Sequence, residues 1–149
     1  AQASLRAMRL VETSLGQPTT RVLEDAHRAL AATRGAAMSL CDIDPEAGLV
    51  RFSGIGNVAG AIYNDGHLRC LVSHNGTVGL SVRMIQEFSY PWTRDSLLVL
   101  HSDGVVTRWN FDATPGLTMR HPSIVAAVLR RDFARGHDDV CVVVVREGP

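Results

Sequence analysis

Asn64-Asp65-Gly66 lies between two β-patterned runs, residues 58–63 and 67–72, and this arrangement narrows the fold more than any other feature of the chain. Asn and Gly accept positive φ, so such a turn joins two neighbouring strands running in opposite directions. Short strand patterns surround it. Residues 36–43 and 49–54 flank the turn Asp44-Pro45-Glu46-Ala47-Gly48, residues 84–90 form a run that stops at Pro91, and residues 96–102 form a strongly apolar run suited to a central strand. Residues 75–79 read as a loop, and residues 139–146 as a last strand. Consecutive strands joined by tight turns pair antiparallel.

Helical patterns frame this meander. Leu5, Met8, Val11 and Leu15 predict an amphipathic helix over residues 1–15 that ends at Gly16-Gln17-Pro18. Thr19 or Thr20 is placed to cap a second helix with Val22, Leu23, Ala26 and Leu30 as its buried face, ended by Thr33-Arg34-Gly35. Residues 104–120 read as a short helix, then a loop at Pro115-Gly116. His121 caps a third helix that starts at Pro122 and runs through Ile124, Val125, Val128 and Leu129. The expected class is α+β, helices packed on antiparallel sheet, in one domain over residues 1–149.

Composition removes several classes. Hydrophobic residues make up 46% of 149, enough for a core and too many for a disordered chain. All 15 basic residues are arginine and they balance 15 acids, so net charge favours neither nucleic acid nor membrane. No apolar run approaches the roughly 20 residues of a membrane span. Cys41, Cys70 and Cys141 are far apart and form no C-x-x-C, which suits core thiols in a reducing cytoplasm. The opening residues resemble the middle of a helix more than a leader, so a fragment or processed form is expected.

Two acidic turns carry the chemistry. Ser102-Asp103-Gly104 follows the strand 96–102, and Asp138-Asp139 precedes the strand 139–146. Carboxylates at neighbouring strand ends suit a hard divalent cation, and a metal with open water positions suits phosphate chemistry. Gly104 permits close backbone approach. Adjacent strand residues alternate faces, so Asp138 and Asp139 cannot both point at one ion once the strand has begun. Arg34 is a candidate for holding phosphate, and Gly56-Asn57 for shaping a turn near the site. His101 and His137 flank the acids, but no zinc-type histidine spacing appears. Trp92 and Trp109, without basic interleaving, fit packing or a partner surface.

The ordered set Thr33-Arg34-Gly35-Ala36-Ala37, Gly54-Ile55-Gly56-Asn57-Val58, Ser102-Asp103-Gly104 and Asp138-Asp139-Val140 resembles the stage II sporulation E (SpoIIE) class of bacterial metal-dependent Ser/Thr phosphatases, relatives of the type 2C enzymes. Its first two pieces look most like the RsbX branch. The resemblance, over residues 20–146, implies stacked antiparallel sheets flanked by helices. It implies two Mn²⁺ or Mg²⁺ ions, held in part by Asp103 and Asp138, and hydrolysis of phosphoserine or phosphothreonine on a phosphorylated regulatory protein. That partner would be an anti-sigma antagonist or stressosome component in the stress response. A cytoplasmic setting and a homodimer fit this picture; nucleic acid and membrane do not. The family's upstream Asp-Gly segment, whose aspartate bridges the metals, is absent, and Cys141 stands where relatives often carry Thr. A catalytically inactive phosphatase-like binding module is the alternative. An unrelated α+β domain would leave Asp103 and Asp138 as separate turn residues.

Overall fold

The computed structural model describes residues 2–136 and 138–148. In chain order the elements are α1 (Gln2–Thr13), α2 (Thr19–Ala29), β1 (Met38–Asp44), β2 (Leu49–Ile55), β3 (Ala59–Asn64), β4 (His67–Cys70), β5 (Gly76–Thr77), β6 (Ser81–Val82), β7 (Phe88–Pro91), β8 (Leu97–His101), a 3-10 turn (Leu117–Met119), α3 (Pro122–Phe133) and β9 (Val142–Val145). Every strand pairing within the sheets is antiparallel, in keeping with the α+β expectation. The chain divides into two compact units, residues 1–58 with 72–91, and residues 59–71 with 92–149.

The first unit holds α1, α2, the sheet β1-β2-β7 and the small pair β5-β6. Leu23, Ala26 and Leu30 of the α2 segment form a core with Met38, Ile55 and Val78, as the helical spacing predicts. A fully buried side chain of this kind contributes about 1.5–3 kcal/mol. The expected cap differs. Pro18 occupies the cap position, and the amide and hydroxyl of Thr19 both donate to Glu87 Oε2, at 3.2 and 2.6 Å. Thr19 Oγ1 is also 2.7 Å from Ser53 Oγ in the interior, so a distant carboxylate does what a local hydroxyl was expected to do. The expected face of α1 is also corrected. Leu5, Met8 and Leu15 are exposed, while Ala3, Ala7, Leu10 and Val11 pack on the core. Spacings of four, three and one make an equally regular stripe, and its small alanines permit close approach. Residues 84–87 are not strand. Pro91 belongs to β7, paired with Leu49 on an edge strand that asks no ladder donor of proline.

The second unit is the sheet β4-β3-β8-β9 with α3. β8 is an interior strand with Leu97, Leu98 and Val99 buried, as its apolar run implies. The β3–β4 hairpin forms with Asn64 opposite His67. The positive φ angles fall on Asp65 (48°) and Gly66 (81°), because the two central residues of such a turn take them and Asn64 belongs to the strand. The short helix expected after residue 104 is absent: residues 105–116 are turns and extended chain, and the helical turn comes later, at Leu117–Met119. Trp109, Phe111 and Leu117 anchor this segment in the core with Val125 and Leu129 of α3. Tyr63, Phe111 and Trp109 meet edge to face at centroid distances of 5.4 Å. α3 begins as expected, with Pro122 in its first turn and Ser123 N–H donating to His121 Nδ1. Ile124, expected inside, is exposed. Among the described residues no helix is long and apolar enough to cross a membrane.

Candidate metal centre

The structure brings the two acidic turns together in the second unit. Ser102 N–H donates to the Cys141 carbonyl at 3.0 Å, which carries the β8–β9 ladder one step past its last paired residues, His101 and Val142. The Ser102 hydroxyl accepts from Cys141 N–H and donates to the Asp139 carbonyl, both at 3.0 Å. One side chain thus ties the turn carrying Asp103 to the segment carrying Asp138 and Asp139. Gly104 completes the junction: a Cβ there would lie 2.3 Å from the Asp139 carbonyl oxygen, closer than any side chain tolerates. The predicted role of Gly104, close backbone approach, is met at a neighbouring peptide.

A second ladder supports the first. Gly104 O accepts from Arg135 N–H at 2.7 Å, Val105 bridges Ala134, and Val106 N–H donates to Phe133 O at 2.9 Å. The Arg135 carbonyl in turn accepts from Asp138 N–H at 3.2 Å. The end of α3 therefore clamps both turns.

Asp103 is partly buried; Asp138 and Asp139 are exposed. Asp138 Oδ1 accepts from the Asp139 amide at 2.9 Å, a local turn that commits one carboxylate oxygen to the backbone. The last strand begins at Val142, not at 139, so Asp138 and Asp139 lie outside the strand and the alternation that separated them has no hold there. All three carboxylates are oxygen donors of the kind hard cations prefer, so the donor chemistry suits a divalent ion. Among the described residues, no group of three or more His, Cys, Asp or Glu side chains gathers into a metal-holding set.

Arg34 and Asn57 belong to the first unit. Arg34 is exposed in the turn after α2, and Asn57 is exposed in the bend after β2, next to Gly56 at φ 95°. His101 is buried. It accepts from Trp109 Nε1–H at 3.0 Å, and an indole only donates, so its own proton sits on Nδ1, 2.9 Å from the Ser102 carbonyl. This histidine braces the acidic turn from behind and is not presented to a ligand; His137 lies outside the described residues. Both tryptophans are buried packing residues. The core-thiol expectation holds only in part: Cys41 is partly buried, and burial pushes its thiol up to about 12, whereas Cys70 and Cys141 are exposed. Cys141 precedes the strand that was expected to bury it. Sequence reasoning quoted Ser102 only as part of a motif, and its tie to residues 139 and 141 had no local signal.

Known proteins share this fold. The family model for stage II sporulation protein E (SpoIIE) matches residues 1–147. Among solved structures, one described as "The bacterial stressosome: a modular system that has been adapted to control secondary messenger signaling" superposes with a TM-score of 0.84 at 25% identity, covering 98% of this chain and 77% of that one. RsbX in complex with magnesium superposes at 0.77 with 16% identity, covering 96% and 71%. The Mycobacterium tuberculosis serine/threonine phosphatase PstP/Ppp superposes at 0.73 with 17% identity, covering 98% and 82%. No curated protein matches the chain. The fold is that of the bacterial type 2C phosphatases. The chain belongs to the SpoIIE family.

Proposed function

We propose that this chain is the catalytic core of a metal-dependent protein serine/threonine phosphatase that dephosphorylates a regulatory protein of the partner-switching or stressosome kind. The observation that carries the reading is the junction of the two acidic turns through Ser102 and Gly104, in a chain of the SpoIIE family. The partner class is supported by the likeness to RsbX and to the stressosome structure. Asp103 and Asp138 are the proposed ligands, with Asp139 and Gly104 shaping the same junction, and Arg34 and Asn57 as substrate-side residues. Mn²⁺ or Mg²⁺ held there would supply Lewis-acid chemistry for attack of water on phosphorus. The chain's own contribution is to keep the carboxylates in place before the ion arrives: the Ser102 hydroxyl, the Arg135 backbone and the His101–Trp109 brace fix the turns, so little ordering remains. The cysteine pattern, without a disulfide, fits a cytoplasmic setting.

The test is Mn²⁺-dependent hydrolysis of a phosphoserine peptide and of p-nitrophenyl phosphate, with Asp103→Asn alongside. Turnover that needs Mn²⁺ and falls at least a hundredfold in Asp103→Asn is the expected result. Absence of turnover here, and also in a chain extended to include an upstream Asp-Gly segment, would favour the binding-module reading. That second reading draws on the missing three-residue metal set among the described residues.

A further inference from the structure

The backbone of Arg135 is bonded to both acidic turns: its N–H donates to Gly104 O at 2.7 Å and its carbonyl accepts from Asp138 N–H at 3.2 Å. The position is firm, because the adjoining bonds run into Val105, which is buried, and Phe133, which packs on the core. Its side chain is exposed, with one weak bond from Nη2 to Thr107 Oγ1 at 3.4 Å. Among the described residues it forms no ion pair, whereas Arg131, one turn earlier, is neutralised by Asp132. An arginine whose backbone sits at the acidic junction and whose guanidinium forms no ion pair among the described residues is available to an anion. Its planar fork matches phosphoryl and carboxylate oxygens.

We infer that Arg135 is a substrate-binding residue that takes an oxyanion of the phosphoprotein, either the phosphoryl group itself or an acidic side chain beside the phosphorylated residue. The inference rests on the phosphatase reading for the placing of substrate at Asp103 and Asp138, and it adds a residue that fixes substrate preference. A lysine at 135 would keep the charge and lose the two-pronged match.

The experiment is fluorescence anisotropy in Mn²⁺ with labelled peptides carrying the non-hydrolysable phosphonate analogue of phosphoserine, one with neutral flanks and one with two flanking glutamates. The unmodified serine peptide serves as reference. Arg135→Gln is expected to weaken binding about tenfold, and Arg135→Lys to recover part of that. Loss on the neutral-flank peptide assigns the contact to the phosphoryl group. Loss confined to the gain from the glutamates assigns it to the flank. Arg69→Gln, at an exposed arginine of β4, should bind as wild type, and thermal midpoints confirm that each variant folds. Binding by Arg135→Gln within twofold of wild type for both peptides overturns the inference, as does a wild type that does not prefer the phosphonate peptides to the serine peptide. Turnover of p-nitrophenyl phosphate reports on the phosphatase reading alone. Turnover with Arg135-independent binding sinks this inference and leaves that reading. Arg135-dependent binding without turnover, in this chain and in one extended upstream, keeps this inference and favours the binding-module reading.

Discussion

Asp42 and Asp44 at the β1–β2 turn, and Asp103, Asp138 and Asp139 at the junction of β8 and β9, are both acid groups at the ends of antiparallel strands, but the protein treats them differently. At the first, Arg51 on the facing strand bonds Asp42 at 3.0 Å and Asp44 at 3.3 Å, and Ala47 N–H bonds Asp44 at 3.0 Å. The Ala47 amide first, and the Arg51 guanidinium after it, hold the Asp44 carboxyl below its ordinary value of 3.8. At the second, no arginine pairs with Asp138 or Asp139 among the described residues, and the nearest one in the ladder, Arg135, is turned to Thr107. The scaffold there bonds peptide groups and a serine hydroxyl instead. An aspartate at a strand end is therefore not a metal ligand by position. What separates the two turns is that Arg51 pairs with both acids of the first, while no arginine pairs with Asp138 or Asp139 among the described residues.

The largest effect that would break this contrast comes from Gly104→Ala. The new Cβ meets a backbone carbonyl that has nowhere to go, so the turns must separate. A loss of about 3 kcal/mol in urea unfolding is expected, together with loss of Mn²⁺-dependent turnover. An alanine variant as stable and active as wild type would mean the junction is looser than its geometry.

Ser102→Ala comes next. It removes a donor and an acceptor at once and leaves the Asp139 carbonyl and the Cys141 amide without their side-chain partner. Expect about 1–2 kcal/mol and faster hydrogen exchange at the Cys141 amide. Unchanged protection at that amide would remove Ser102 from its proposed place.

Arg51→Gln is the smallest. Its ion pairs are reached by solvent, so the unfolding midpoint should move little, and the difference should shrink further in high salt. Because the folded Asp44 carboxyl is depressed, its stabilising contribution is present above the ordinary carboxylate value and is lost as pH falls through the lower folded value. The variant should therefore differ from wild type least below about pH 4, and it should keep part of the acid sensitivity because the Ala47 amide remains. Any change in Mn²⁺-dependent turnover would mean the two turns are not independent.

Much of the fold was legible because its signals are local. The β3–β4 hairpin needed only its turn residues, although the positive φ expected of Asn64 falls on Asp65, α3 needed only His121 and Pro122, and the burial of Leu97 to Val99 only an apolar run. The misreadings share another cause. On α1 two apolar stripes were available, and only the shape of the surface it packs against chose Ala3, Ala7, Leu10 and Val11. Thr19 looked like a local cap until Glu87, 68 residues away, took that role. Residues 105–116 carry apolar side chains that suggest helix, but Trp109 and Phe111 are drawn into the core one at a time, in extended chain.

The sequence by itself determined the antiparallel α+β class, the order of most elements and the two acidic turns, since each follows from a period or a turn preference within a few residues. The tertiary structure decided that the turns meet, that Ser102 and Gly104 join them, and that Arg135 lies between them with its guanidinium directed elsewhere. Apart from the short turn from Arg135 to Asp138, those are contacts across roughly 30 to 40 positions of chain. They depend on which strands become neighbours and in what register, and no local pattern carries that information.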